Sequence, residues 1–229
     1  MKRINLIAIA AVLVAFLSGC STVVQKPVSF SSSSIQSGKV VIGVVQTKLP
    51  EFSVAFPGAD CLLCIGLAMA THGKLRDHSK TLNTNDIQPL QDDLVKKLVA
   101  KGYSVKKIDQ NIDFAKLEKN SDEKEGFSKY NFSNYAKEGI NMLLVINLKE
   151  IGFKRGYQNY IPTEPMKAQV VAEGFLVNTS DGKYTWYQDY KLSKGVTGEW
   201  DVEPKFPQLT NSYYSLIEEF KDSFIGSFN

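Results

Sequence analysis

Two short runs that are apolar at nearly every position most constrain this chain: Val40-Val-Ile-Gly-Val-Val45 and Met142-Leu-Leu-Val-Ile-Asn-Leu148. Both are rich in β-branched or aliphatic residues and neither alternates with polar ones. That is the pattern of strands buried on both faces, the usual condition where helices cover a sheet. Between them, Asp86 to Lys101 places Ile87, Leu90, Leu94 and Leu98 at helical spacing, with Pro89 tolerable in the first turn and Gly102 as the stop. Tyr103 to Asp109 reads as a second strand, and Ser133 as the cap of a short helix through Glu138. The run from Met142 extends as Lys149 to Arg155. Lys167 to Asn178 and Lys183 to Leu192 are two strands joined by Thr179-Ser-Asp-Gly182. Leu209, Tyr213, Leu216, Ile217, Phe220 and Phe224 form one apolar stripe on a final helix. The expected fold is α/β: a mixed β-sheet in β-α-β-α-β-β-β-α order with helices packed on the sheet.

The N-terminus has a different logic. Lys2 and Arg3 precede an apolar stretch from Ile4 to Phe16, broken by Asn5. This is an export signal, and it is shorter than the roughly 20 residues of a spanning helix. It closes on Leu17-Ser-Gly-Cys20, which resembles the lipobox of bacterial lipoproteins. The resemblance implies cleavage before Cys20, diacylglycerol on its thiol and a third acyl chain on the new amino terminus. At roughly 0.8 kcal/mol per buried methylene, two or three chains anchor almost permanently. By analogy with enterobacterial sorting, Ser21 rather than Asp favours the outer membrane, facing the periplasm.

The expected organisation is therefore a cleaved signal over 1–19, a lipidated cysteine and serine-rich tether over 20–38, and one periplasmic domain over 39–229. Thr22 to Gly38 carries Pro27 and six serines with no apolar period; as flexible chain it would reach roughly 20–25 Å. The formal charge of +3 falls by two once Lys2 and Arg3 are removed. A near-neutral balance with interspersed signs excludes nucleic acid as the partner and supplies no polybasic membrane contact.

The strand order behind a lipobox resembles the periplasmic domain of the curli-secretion lipoprotein, the Pel-exopolysaccharide lipoprotein and related small outer-membrane lipoproteins. The cues are the strand Val40 to Val45, the helix ending in Lys-Gly-Tyr103, the strand Leu143 to Leu148 and the hairpin Phe175 to Trp186. The likeness covers roughly 150 residues, in topology more than in sequence. Phe56-Pro-Gly-Ala-Asp-Cys-Leu-Leu-Cys64 is similar to a group of proteobacterial lipoproteins that brings no activity with it.

Residues 48–83 form a long excursion holding Cys61, Cys64, His72 and His78, which are all the histidines and every cysteine but Cys20. Three readings stand: a Cys61–Cys64 disulfide, a pair of buried thiols, or a tetrahedral metal site of the four residues. No cofactor is otherwise implied. Cys61 to Ala70 contains no charge; it reads as a buried core helix started by Asp60, or as an interfacial or subunit-contact segment. Tyr184, Trp186 and Tyr190 are placed on one face of the last strand, with Tyr187 on the other. That face can stack glycan rings or pack under the C-terminal helix. No nucleophile motif and no phosphate loop is visible, so the expectation is a non-enzyme. The functional expectation is a structural or assembly role in an envelope secretion or transport system, with membrane contact through the lipid and protein partners or self-association. The alternative is a ligand-binding lipoprotein for metal or glycan.

Overall fold

The computed structural model describes residues 24–32, 35, 40–121 and 123–229. The signal segment, Cys20 and Ser21 lie outside these residues. Strand β1 (Val41–Gln46) is followed by β2 (Phe52–Ala55), α1 (Leu62–Thr71), α2 (Gly73–Ser79) and α3 (Pro89–Ala100). Then come β3 (Ser104–Lys107), α4 (Ser133–Lys137) and β4 (Met142–Lys154). A small ribbon of β5 (Tyr157–Gln158) and β6 (Ile161–Pro162) precedes β7 (Lys167–Asn178), β8 (Tyr184–Lys194) and α5 (Pro207–Gly226).

The main sheet runs β3-β1-β4-β7-β8, with β2 pairing with the far half of β4. β1 pairs parallel with β3 and with Met142–Ile146 of β4, whereas β2 pairs parallel with Ile151–Lys154. The chain thus leaves the edge of β4 after β1 and returns to it farther along. β7 and β8 add antiparallel neighbours, so the mixed sheet expected from the sequence is present.

The double-faced burial of the apolar runs is direct. Ile42, Val44, Leu144 and Ile146 enter the core under α3 and α5, while Val45, Leu143 and Val145 enter a second core with Phe132, Phe175 and Tyr187. Both sets are shielded from water, which explains why neither run alternates. Helix α3 buries Leu90, Leu94 and Leu98, with Pro89 in its first turn where a missing N–H costs nothing. Helix α5 buries the predicted stripe from Leu209 to Phe224. It lies so close to β7 that a Cβ on Gly174 would collide with Trp186 and Phe224.

Three expectations need correction. Ser133 does not cap α4; Asn131 does the local work, its side-chain oxygen accepting from the Ser133 amide at 2.8 Å. The described part of the tether is not free chain. Val28 exchanges two backbone hydrogen bonds with Tyr187 (2.9 and 3.0 Å), Phe30 meets Phe228 edge-on, and Ile35 is buried. Apolar residues scattered among serines carry no period, yet Val28, Phe30 and Ile35 pack on the body. The third correction concerns α1.

Candidate contact surface

Helix α1 is where the excursion leads. Asp60 was expected to start it, but Cys61 is the N-cap: its Sγ accepts from the Cys64 amide at 3.0 Å. Cys61 and Cys64 are joined as a disulfide, so the first turn is held by a covalent link as well as by the cap. Upstream, Gly58 takes a positive φ of 85° and sits against the Tyr157 carbonyl, where a Cβ would collide. The β5–β6 ribbon is tied to the same turn by Tyr157 N–H to Pro57 O (2.8 Å) and Asn159 N–H to Gly58 O (2.9 Å).

Helix α1 is not a core helix. Only Cys64 and Ala68 are buried, while Leu62, Leu63 and Leu67 are 92%, 82% and 52% exposed. Ile65 and Met69 are exposed too, as are Tyr160 and Ile161 at the ribbon tip. At about 100° per residue, the exposed apolar side chains of α1 cover an arc of roughly 200°. The sequence gives a run without polar positions, which fits a core helix, but here only one narrow stripe meets the body. Among the described residues no helix is long and apolar enough to cross a membrane.

His72 braces this helix from its C-terminal end. His72 Nδ1–H donates to the Ala68 carbonyl at 3.0 Å, leaving Nε2 to accept from Arg155 Nη1 at 3.1 Å. The ring stacks on Trp200 at 5.7 Å and 9°, and Arg155 lies 5.0 Å over the same indole. Burial first, and then Arg155, hold the His72 pKa below its usual value, consistent with the neutral tautomer the bonds require. His78 is lowered by burial; its Nε2 is 2.9 Å from Thr210 Oγ1 on α5.

The four-residue metal site is therefore corrected. The sulfurs of Cys61 and Cys64 are bonded to each other and offer no thiolates. His72 and His78 are turned to Arg155 and Thr210. Among the described residues no group of three or more His, Cys, Asp or Glu side chains is placed to hold a metal ion.

The aromatic face is corrected as well. Trp186 and Tyr190 are buried against Phe220, Phe224 and Phe228, leaving no surface for a sugar ring. Tyr184 is on the opposite side. The β7–β8 register shifts between Leu176 and Val177, pairing Leu176 with Trp186 but Val177 with Tyr184. Thr185 is the extra residue of this bulge, and it moves Tyr184 to the face of Tyr187. There the two rings are 5.2 Å apart. They line a cavity of about 320 Å³ with Phe114, Tyr130 and Phe175. At its floor Glu173 accepts from Asn147 (2.7 Å), Lys149 (2.5 Å) and the Tyr187 hydroxyl (3.2 Å). Burial raises both tyrosine pKa values, Tyr184 to about 12. Sequence reading missed this cavity because Phe114 and Tyr130 come from an irregular segment with no apolar period.

Fold and surface together define a mixed α/β domain that displays a disulfide-stapled apolar helix. No family model and no curated protein matches the chain. Among solved structures it is similar to a dodecameric variant of PelC from Paraburkholderia phytofirmans, at 11% identity over 89% of this chain and 95% of that one, TM-score 0.39. It is also similar to lipoprotein GNA1162 from Neisseria meningitidis (13%, 79% and 99%, TM-score 0.36). A third likeness is XCC0632 from Xanthomonas campestris (9%, 89% and 93%, TM-score 0.35). All three scores lie below 0.5, too low to carry a functional conclusion.

Proposed function

We propose that this chain is a lipid-anchored, non-enzymatic protein of the bacterial outer membrane, facing the periplasm, with a structural or assembly role in an envelope secretion or transport system. The lipobox-like Leu17-Ser-Gly-Cys20 supports the anchor. The single observation that supports the contact role is the exposed apolar surface of α1, with Leu62 and Leu63 almost wholly in water. Burying such side chains against another component is favourable by roughly 1.5–3 kcal/mol each, and monomers rarely leave such a patch uncovered. Cell fractionation with mass spectrometry of the processed N-terminus tests the reading. A Cys20→Ala chain is expected to leave the outer-membrane fraction. An unmodified mature start, or unchanged fractionation, refutes the anchor.

A second reading, an envelope-glycan-binding lipoprotein, is favoured by the cavity at Tyr184 and Tyr187, where rings and a carboxylate face one space. Titration with envelope oligosaccharides tests it: binding that Tyr130→Ala weakens at least tenfold supports it, and absence of binding refutes it.

A further inference from the structure

Helix α1 is fastened to the body by few ties. Only Cys64 and Ala68 of its ten residues are buried. Among the described residues no hydrogen bond or ion pair leads from Leu62–Thr71 to the sheet or to α5. At the N-terminal end the chain is held by the turn at Gly58, against Tyr157 and Asn159. At the other end the polar tie is His72, the one residue between α1 and α2.

That tie exists in one protonation state. The ring donates from Nδ1 to the Ala68 carbonyl and accepts at Nε2 from Arg155 Nη1, 3.1 Å away. A second proton would fill the accepting lone pair and place an imidazolium against a guanidinium. Arg155 cannot step aside, because its Nε donates to the Glu164 carbonyl at 2.9 Å and its plane lies over Trp200. The other groups around the ring offer no relief. Phe56, Tyr157 and Trp200 are neutral rings. Lys74 of α2 is a further cation and takes up Glu203, the Glu164 carboxylate is paired with Lys167, and Asp201 is exposed at the rim. A cavity of about 200 Å³ beside the ring leaves room for it to turn away.

We propose that His72 is a proton-operated latch: the neutral ring clasps α1 to β4 and to the Trp200 loop, and the imidazolium lets the helix swing out about the Gly58 turn. Release frees the inner stripe of Cys64 and Ala68 along with the side chains already exposed, while the Cys61–Cys64 link keeps the first turn intact. The latch rests on the contact role assigned to α1 above and adds its regulation. Burial and Arg155 hold the clasped ring below its ordinary pKa, so the released ring takes the proton first. The clasp is therefore strongest above about pH 6.5 and weakens as pH falls through the lower clasped value.

The test is hydrogen exchange read by mass spectrometry on the full-length, cell-processed chain at pH 7.5 and pH 5.0, corrected for the intrinsic exchange rate. Opening of residues 62–71 is expected to rise at least threefold at the acid pH, with a ceiling of about 30-fold set by a released-ring pKa of about 6.5. The amides of β4 are expected to stay protected. His72→Gln, whose amide can accept from Arg155 and donate to Ala68 without titrating, should abolish the rise. Arg155→Gln should shrink it, and His78→Gln, at the other histidine of the chain, should leave it intact. Equal opening at both pH values in the parent overturns the latch, as does a full rise in His72→Gln. Loss of β4 protection together with α1 also overturns it, because the event is then global unfolding. If His72→Gln misfolds by circular dichroism, the ring-proton titration of His72 in the parent takes its place, and a midpoint that does not follow the exchange overturns the latch. The same data read the contact role separately: α1 protected as strongly as β4 at pH 7.5 refutes that role, whereas a weakly protected α1 without a pH response refutes the latch alone.

Discussion

Replacing Leu62 and Leu63 together by Asp separates a displayed helix from a buried one. Full burial of a leucine side chain is worth about 1.5–3 kcal/mol. Leu62 retains 8% of its surface away from water and Leu63 18%, the complements of their 92% and 82% exposure. The double change therefore forfeits about 0.4–0.8 kcal/mol of packing. Two carboxylates in the first turn each return about 0.3–1 kcal/mol through the helix dipole, and the weaker helix propensity of aspartate takes back about 0.5 kcal/mol at each position. For a chain of this size one kcal/mol moves Tm by about 2–4 °C, so the melting temperature in lipid-free detergent solution should change by less than about 5 °C. Leu75→Ala is the internal reference. That side chain, one helix on, is 2% exposed and its truncation should cost about 2–5 kcal/mol, or roughly 4–20 °C. Circular dichroism melts of the three proteins give the comparison. If the double aspartate variant falls as far as Leu75→Ala, α1 is packed inside the molecule and the contact-surface argument fails.

Cys61→Ser with Cys64→Ser removes a link across a very short loop, worth about 2 kcal/mol on chain entropy; protease nicking within α1 should rise by one to two orders of magnitude, and an unchanged rate would refute the staple. Gly174→Ala should destabilise by about 1–3 kcal/mol, because Trp186 and Phe224 occupy the space of the new methyl group; denaturant melts at parental stability would show that α5 sits farther from β7. His72 is held below its usual pKa by burial, then by Arg155, so the unfolded chain binds the proton first as pH drops. Its contribution is full above about pH 6.5 and is lost as pH falls through the lower folded value. His72→Gln should therefore flatten part of the stability loss between neutral and acid pH, and identical slopes would refute the assignment.

How much of this was legible depended on whether a residue's surroundings were encoded nearby. The strands around Val44 and Leu144 and the stripe from Leu209 to Phe224 were readable because burial on two faces, or on one helical face, imposes a period. Strand β2 has four residues and little contrast, so it passed unnoticed within the excursion. Counting by twos puts Tyr184 on the wrong face because it fails across the bulge at Thr185, which leaves no mark in composition. The apolar character of Leu62 to Ala70 was plain, but exposure is a property of what the rest of the chain leaves uncovered. No local pattern records it. Phe30 and Ile35 show the converse, lone apolar residues in a serine-rich stretch that nonetheless find the body.

The pairing of Val28 with Tyr187 has a mechanical consequence. A pull on the chain from its N-terminal side is borne by β8, an edge strand of the sheet, and shared with the Gln25 side chain on the Gly126 amide. Shearing two backbone bonds and one side-chain bond at the rim leaves the buried middle strands unloaded.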